Sequence, residues 1–337
     1  MTYAELVHPL TERKDLTDEQ AREAMAFLIS GEATESQIGG FLLALRVKGC
    51  TTRELAAFAL VMRDKALIVQ HEFDDLVDTC GTGGGAPSFN LSTAAAFVAC
   101  GAGVRIAKHG NRSMSGLGSA EVLDALGVRL GEEPEHLAHQ LETVRMAFLF
   151  APAHHPAMKH VAKPRRELGV RTVFNQLGPL ANPAGAKRQL IGVYEPGLMR
   201  SMAEALRLLG TERAVFVHGK DGIDEASAVA ETIYVKVWDG QVSAGVFQPT
   251  DFGIDPISPT ALQPGTTPAE NAAILREAIS EVDSPRSLAI LPSAAIAIWI
   301  AGLVATPLEA AGLAREAIRE GKAVGKLEQL IAAGSRD

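Results

Sequence analysis

The chain has 337 residues, enough for one large domain or two moderate ones. Its formal net charge of −8 excludes general binding to nucleic acid through a basic surface. Apolar residues make up 47% of the chain and aromatic residues only 5%, so the core is built from Ala, Leu and Val, as in helix-rich α/β proteins. Cys50, Cys80 and Cys100 fit neither a zinc pattern nor a disulfide framework, which predicts a reducing, cytoplasmic location.

Residues 1–71 predict helices only. Thr17 followed by Gln20 is a capping box, the pair of side chains that satisfies the first N–H groups of a helix. A second helix is predicted over residues 36–45, and Thr52 is predicted to cap a third. The apolar faces of these helices could pack within the domain or form a dimer contact, and the sequence leaves both open.

A run of glycines follows a short apolar segment that predicts the end of a strand near Asp78. Ser92 then precedes an Ala-rich helix and is its predicted N-cap. A glycine loop that leads into a helix N-terminus presents free N–H groups, a favourable place for phosphate. The glycines alone are equally consistent with a tight turn that holds no ligand. They are Gly81, Gly83, Gly84 and Gly85.

Polar residues also follow the next predicted strand, residues 104–107. The sequence Lys-His-Gly-Asn-Arg at 108–112 would lie at the carboxyl end of that strand, where open α/β sheets place ligands. A mixture of cation, imidazole and amide suits an anionic substrate better than a solvated basic loop. Ser119 or Ser115 is predicted to cap the helix that comes next.

The segment from residue 146 onward begins with a predicted strand over 146–150. His154 and His155 follow, but the pair has no acidic or Cys partner at a ligand spacing, so a metal site is disfavoured. A helix rich in basic residues and a series of turn formers come next. We expect this segment, about 155–185, to be a kinked connection that packs near the helical domain or at the hinge.

Two further strands are predicted over residues 189–194 and 214–218, with a helix between them. This βαβ alternation predicts a largely parallel sheet. Asp224 and Glu225 follow the second strand, and adjacent carboxylates in a glycine-containing loop suit Mg²⁺ beside phosphate, although an acidic surface turn has the same pattern. Residues 232–243 predict a hairpin. The apolar run 287–305 predicts a buried strand and a buried helix rather than a membrane span.

Seven motifs occur in order along the chain. They are Gly-Thr-Gly-Gly at 81–84, Phe-Asn-Leu-Ser-Thr-Ala-Ala at 89–95, Ala-Lys-His-Gly-Asn-Arg at 107–112, Arg-Arg-Glu-Leu-Gly-Val-Arg-Thr-Val-Phe-Asn at 165–175, Leu-Gly-Pro-Leu at 177–180, Asn-Pro at 182–183 and Asp-Gly-Ile-Asp-Glu at 221–225. This series resembles the anthranilate phosphoribosyltransferase family over residues about 10–330. The resemblance implies transfer of a phosphoribosyl group from phosphoribosyl pyrophosphate to anthranilate in tryptophan biosynthesis.

The resemblance also implies an architecture. A small all-helical N-terminal domain, residues 1–71, would precede a larger α/β domain, residues 72–337, with a mostly parallel central sheet flanked by helices. It implies Mg²⁺ as cofactor and a homodimer formed through the helical domains, with no nucleic-acid or membrane partner.

Site residues are implied by the same resemblance, which nominates no single general base. Lys108 would add a cation to the phosphates, and Arg165 is preferred over Arg166 as the group that faces the anthranilate carboxylate. The residues implied for phosphoribosyl pyrophosphate are Gly81, Thr82, Gly84, Asn90, Ser92, Thr93 and Lys108. Those implied for anthranilate are Gly81, His109, Asn111, Arg165 and Gly178, and those for Mg²⁺ are Ser92, Asp224 and Glu225.

Two departures from the family pattern stand near the pyrophosphate. Gly85 replaces the usual Asp in a loop that is one residue shorter, and the run 115–119 is also one residue shorter. These changes keep open a paralogue that uses another aromatic amine. A nucleoside phosphorylase-like enzyme is a further alternative, although its Lys-x-Ser-Thr-Gly-Gly loop is absent. A non-catalytic relative that binds nucleic acid or a protein is disfavoured by the acidic balance and by the Asp224–Glu225 pair.

Overall fold

Four helices form the N-terminal part of the chain in the computed structural model, which describes residues 1–113 and 115–334. Thr17 and Gln20 bond reciprocally, so the predicted capping box is confirmed. The third predicted start is wrong by one residue, because the Thr51 side chain, not that of Thr52, accepts the N–H of Glu54. The helices are α1 (Tyr3–Thr11), α2 (Asp18–Ser30), α3 (Glu35–Lys48) and α4 (Thr52–Asp64).

One sheet of seven strands forms the centre of the rest of the described chain. The strands are β1 (Leu76–Gly81), β2 (Arg105–Gly110), β3 (Met146–Phe150), β4 (Arg188–Gly192), β5 (Arg213–Gly219), β6 (Thr232–Trp238) and β7 (Gln241–Phe247). Their order in space is β3-β2-β1-β4-β5-β6-β7, with β1 to β5 parallel and β6 and β7 antiparallel. The predicted mostly parallel sheet is therefore confirmed, and so is the hairpin.

Helices cover both faces of this sheet. Leu190 belongs to a core shared with α5 and α12 to α15, whereas the next residue, Ile191, belongs to a core shared with α11 and the N-terminal helices, because successive strand residues face opposite sides. The helices are α5 (Leu91–Gly101), α6 (Ser119–Ala125), α7 (Pro134–Thr143), α8 (Ala151–His154), α9 (Lys159–Leu168), α10 (Phe174–Leu177), α11 (Met199–Leu208), α12 (Pro268–Ser280), α13 (Pro285–Ala301), α14 (Pro307–Arg319) and α15 (Lys322–Gly334).

Two further helix starts, those of α5 and α6, differ from the sequence predictions. Asn90, not Ser92, is the N-cap residue of α5, and Ser92 lies in the first turn, where its hydroxyl accepts a bond from Lys108. Gly118 precedes α6, so neither Ser115 nor Ser119 caps it. Ser115 lies in the preceding loop and Ser119 is the first residue of the helix, and both hydroxyls bond atoms of that loop, which is a competing use of a capping side chain.

The prediction of a strand and a helix in the apolar run 287–305 is wrong. Residues 287–301 belong to the single helix α13, which continues through Pro292 and is followed by the C-cap Gly302. Residues 289–298 are all buried, so the run has no polar face and its pattern cannot distinguish helix from strand. No single helix within residues 1–113 and 115–334 is long and apolar enough to span a membrane. Within the same residues, only α12 and α13 taken together have that length and hydropathy, and the chain bends by 75° between them.

The connection between α8 and β4 packs against the N-terminal helices. Helix α9 contacts α2 and α3, and Val161 is buried in the core that these helices share with α11. The domain boundary at residues 71 and 72 falls between α4 and β1 and stays a prediction, and residues 335–337 of the predicted α/β domain lie outside the described residues.

The two tryptophans meet at the antiparallel edge of the sheet. Trp238 at the end of β6 stacks on Trp299 of α13, with ring centroids 4.6 Å apart. The Trp299 indole N–H donates to the carbonyl of Ala305. This contact ties α13 to the far edge of the α/β domain.

Candidate active site

The candidate site lies where the strand order reverses, at the carboxyl ends of β1 and β4. The last residues of these strands, Gly81 and Gly192, are paired in the sheet. Open α/β sheets bind ligands at this topological switch point. A Cβ on Gly192 would lie 1.8 Å from the carbonyl oxygen of Asp224, so a glycine is needed for the loop that carries the acidic pair to cross the strand end.

The glycine loop, residues 81–86, packs against the acidic loop, residues 221–225. The Ala86 N–H donates to the Gly222 carbonyl at 2.8 Å, and the Thr82 N–H donates to the Gly192 carbonyl at 2.9 Å. Gly84 has a φ of +93°, a conformation that other residues avoid. The two loops therefore form one wall at the end of β1, β4 and β5.

Lys108 lies inside β2, whereas the sequence placed it just after the strand, and it is 2% exposed. Its ammonium group donates to the Thr79 carbonyl and, at 3.3 Å, to the Ser92 hydroxyl. Burial lowers the pKa of Lys108, and the nearby charges of Asp78 and Glu225 oppose this change. A buried cation therefore lies beneath the first turn of α5.

Glu225 joins the acidic loop to α5. One of its carboxylate oxygens accepts the Ser92 N–H at 3.2 Å and the other accepts the Ser293 hydroxyl at 3.3 Å. Burial, followed by the charge of Asp224, raises the pKa of Glu225 to about 7. Burial also raises the pKa of Asp224, against hydrogen bonds from the N–H groups of Asp224 and Gly85.

Ser92, Asp224 and Glu225 offer a hydroxyl and two carboxylates as possible metal ligands. Oxygen ligands of this type suit Mg²⁺, and a cation would oppose both causes of the raised pKa of Glu225, which are burial and then the charge of Asp224. The residues present therefore fit the group. Within the described residues, no set of three or more His, Cys, Asp or Glu side chains is grouped as for a metal held by protein alone. Mg²⁺ that keeps waters beside phosphates needs no such set.

A group of buried histidines lies on the other side of β2. His109 Nδ1 is 3.2 Å from the Gly178 carbonyl, and its ring lies 5.3 Å from that of His155. Burial, followed by His155, lowers the pKa of His109 to about 3, so the ring is neutral. The bond to a carbonyl places the proton on Nδ1 and leaves Nε2 as a buried acceptor, which has no partner among the described residues.

The two adjacent arginines of α9 differ in environment. Arg165 is partly buried, and its guanidinium lies 5.0 Å from the centre of the Phe174 ring. Burial lowers the pKa of Arg165. Arg166 is exposed. Asn111 is also exposed, and its side-chain oxygen accepts the N–H of Arg112 at 2.7 Å.

Asn90 and Thr93 complete the set of predicted residues. The Asn90 amide donates to the Leu117 carbonyl at 3.0 Å and so ties α5 to the shortened run 115–119. The side-chain oxygen Oδ1 of Asn90 and the Thr93 hydroxyl are buried without a partner within the described residues. Such unsatisfied groups near a site are candidates for ligand contact.

Sequence reasoning missed three residues of this site. Arg171 contacts the glycine loop, Tyr194 stacks on Arg171, and Ser293 bonds Glu225. Arg171 lies inside one of the motifs, but its position there indicates no partner. Ser293 follows Pro292 in the apolar run. A polar residue within so apolar a segment is the one sequence feature that could have indicated its role.

Two family models match most of the chain. Residues 4–66 match the helical bundle domain of a glycosyl transferase family, and residues 73–324 match the a/b domain of the same family. A relative from Symbiobacterium thermophilum, named anthranilate phosphoribosyltransferase, is 46% identical over 327 residues, which is 96% of each chain. The chain belongs to the anthranilate phosphoribosyltransferase family.

Solved structures of this family have the same fold. The anthranilate phosphoribosyltransferase of Thermus thermophilus has a TM-score of 0.92 and 40% identity, and the match covers 98% of this chain and 99% of that one. The Saccharomyces cerevisiae enzyme in complex with PRPP and Mg has a TM-score of 0.89 and 27% identity, and the match covers 99% and 98%. The family assignment and the fold class predicted from the sequence are thus confirmed.

Proposed function

We propose that the protein transfers the phosphoribosyl group of 5-phosphoribosyl 1-pyrophosphate to the amine of anthranilate, giving N-(5-phosphoribosyl)anthranilate and pyrophosphate. This is the second step from chorismate to tryptophan. The observation that carries the proposal is the meeting of the glycine loop, Lys108 and the acidic loop at the switch point of the sheet, in a chain of this family.

The phosphate side of the site consists of the glycine loop, the first turn of α5, Lys108 and the acidic loop. Backbone N–H groups and hydroxyls there suit the pyrophosphate oxygens, and the N-terminus of α5 favours negative charge. Lys108 is held by Thr79 and Ser92 and so keeps its ammonium group in place. The residues proposed to contact phosphoribosyl pyrophosphate are Gly81, Thr82, Gly84, Asn90, Ser92, Thr93 and Lys108.

Ser92, Asp224 and Glu225 are the residues proposed to hold Mg²⁺. The metal would supply charge neutralisation for the pyrophosphate leaving group. The yeast relative solved with PRPP and Mg supports this cofactor. Glu225 accepts the backbone N–H of Ser92, so the proposed carboxylate ligand and the residue that carries the proposed hydroxyl ligand are held together at the first turn of α5.

The acceptor side consists of His109, Asn111, Arg165 and Gly178. Arg165 is partly buried and cationic, which suits the anthranilate carboxylate better than the exposed Arg166. The neutral His109 ring has a free Nε2 acceptor that suits the N–H of an aromatic amine. Gly81 is proposed to contact both substrates, and nothing lies within 4 Å of a Cβ built on Gly178, so that position borders open space.

The proposed reaction needs little acid–base catalysis from the protein. Cleavage of the C1–O bond leaves positive charge on the ribose and places negative charge on pyrophosphate, which Lys108 stabilises from its fixed position. The amine of anthranilate uses its own lone pair, so alignment of the nitrogen with C1 supplies much of the remaining effect. No group needs to act as a strong base.

A homodimer through the helical domains is proposed as well. Leu43 and Val47 are 41% and 69% exposed and lie one turn apart on α3, so they form an apolar stripe on that domain. Replacing both with Glu should convert a dimer into a monomer in sedimentation experiments.

A cytoplasmic location remains a prediction.

One assay tests the proposed function. Anthranilate fluorescence should decrease with time in the presence of phosphoribosyl pyrophosphate and Mg²⁺, and should stay constant without either. A constant signal with anthranilate, together with turnover of a substituted aromatic amine, would identify a paralogue instead. Release of ribose 1-phosphate from a pyrimidine nucleoside and phosphate would identify the phosphorylase alternative.

A further inference from the structure

Arg171 holds the glycine loop from its outer side. Its guanidinium donates to the Gly83 carbonyl at 2.9 Å and to the Gly84 carbonyl at 3.2 Å. A Cβ on Gly84 would lie 1.6 Å from Arg171 Nη2, so the glycine is needed for this close approach. One planar group therefore fixes two successive peptides of the loop.

The direction of these carbonyls determines where the loop N–H groups point. In a trans peptide the C=O of one residue and the N–H of the next point in opposite directions, and every described peptide is trans. Because the Gly83 and Gly84 carbonyls face Arg171, the N–H groups of Gly84 and Gly85 face away from it. The Gly85 N–H meets the carboxylate of Asp224, so that side of the loop faces an anionic group.

Arg171 is itself held by two elements. Its guanidinium lies 3.6 Å from the centre of the Tyr194 ring, and the Tyr194 N–H donates to the Thr82 hydroxyl at 3.0 Å. Arg46 of α3 donates to the Arg171 carbonyl at 2.6 Å. A continuous set of contacts thus joins the N-terminal helices to the glycine loop.

We propose that Arg171 is a positioning residue for pyrophosphate binding, which acts by orienting the Gly84 and Gly85 peptides so that the Gly84 N–H faces the bound anion and the Gly85 N–H holds the Asp224 carboxylate. The inference rests on the proposed function, since it takes the glycine loop as the pyrophosphate site. It assigns Arg171 no direct contact with substrate. The role depends on the two-pronged shape of the guanidinium as well as on its charge.

Arg171→Gln and Arg171→Lys separate shape from charge. Gln removes both, whereas Lys keeps the charge but cannot bond two carbonyls and stack on Tyr194 at once. We expect both variants to raise the KM for phosphoribosyl pyrophosphate about tenfold and to leave the KM for anthranilate within about twofold. The affinity for pyrophosphate with Mg²⁺, measured by titration calorimetry, should fall by a similar factor. Arg200→Gln, an exposed arginine of α11, is the matched control.

The outcomes are distinct. Wild-type affinity in Arg171→Lys would mean that charge alone acts and would overturn the positioning role. An equal rise in both KM values, with a lower melting temperature, would indicate a general structural role and would overturn it too. If the wild type binds pyrophosphate with Mg²⁺ but does not consume anthranilate, the proposed function fails, and the calorimetric comparison still tests Arg171.

Discussion

The two sides of the site differ in the neighbours that they give to buried polar groups. On the phosphate side, groups of opposite charge lie together, since Lys108 and Glu225 both bond Ser92, and the charges of Asp78 and Glu225 oppose the fall that burial causes in the pKa of Lys108. On the acceptor side, charge is suppressed, because His109 and His155 are buried together and burial lowers the pKa of each. A highly charged ligand needs fixed opposite charges and dipoles, whereas an aromatic amine needs a dry surface with a few acceptors.

The largest effect is expected from the acidic loop. Asp224→Asn with Glu225→Gln keeps the side-chain shapes but removes both negative charges. We expect kcat/KM to fall by at least about a thousandfold and the Mg²⁺ dependence to disappear, because charge stabilisation of the leaving group is lost. Circular dichroism should stay unchanged. Near-normal turnover in this variant would refute the metal assignment.

On the acceptor side, the adjacent arginines form a matched pair. Arg165→Gln should raise the KM for anthranilate roughly 30-fold, because a charge-assisted bond to the carboxylate is lost. Arg166→Gln, at an exposed position of the same helix, should leave this KM unchanged. The KM for phosphoribosyl pyrophosphate is the internal reference for both. The opposite ranking would assign the carboxylate to Arg166.

Two glycines of the glycine loop, Gly85 and Gly83, form a second matched pair of substitution sites. A Cβ on Gly85 would lie 2.4 Å from the Asp224 nitrogen, whereas nothing lies within 4 Å of a Cβ on Gly83. Gly85→Ala should therefore displace the acidic loop and raise the KM for phosphoribosyl pyrophosphate about tenfold. Gly83→Ala meets only the strain of its positive φ, about 1 kcal/mol, which should appear in urea unfolding. Equal KM values in the two variants would contradict this account.

The smallest effect concerns pH and the buried histidine. The pKa of His109 is about 3 in the fold, against about 6.5 in the unfolded chain, so its contribution to stability is complete above pH 6.5 and is lost as the pH falls towards 3. Between pH 7 and pH 5.5 the loss is about 1 kcal/mol. His109→Gln should reduce the pH dependence of unfolding by that amount. An unchanged dependence would mean that the ring titrates normally in the fold.

Gly85 also explains why the departure from the family pattern is tolerated. The usual Asp would place its Cβ where the backbone of Asp224 now lies. The Gly85 N–H bonds the Asp224 carboxylate, so a carboxylate of the acidic loop lies beside the shortened glycine loop. This contact is invisible in the sequence, because it joins residues that are far apart along the chain.

Local sequence patterns predict the helices and strands, whereas the roles of individual side chains depend on contacts between distant parts of the chain. The Thr17–Gln20 capping box lies within four residues, and its prediction is correct. The prediction of Ser92 as a cap is wrong because its partners are distant in sequence, Lys108 inside β2 and Glu225 in the acidic loop. Arg171 received no role for the same reason, since its bonds reach back 88 residues to Gly83. The resemblance supplied residue types, but only the fold supplies their neighbours.

The stacked tryptophans have a practical consequence for spectroscopy. The chain has two tryptophans, and they form the stack of Trp238 on Trp299. This stack lies at the β6–β7 end of the sheet, away from β1. Emission excited selectively in tryptophan therefore reports on that edge and has no probe in α1 to α4, whereas far-ultraviolet dichroism detects every helix. Coincident denaturation curves from the two signals would show that the N-terminal helices and the sheet unfold as one cooperative unit, and separated curves would show that they do not.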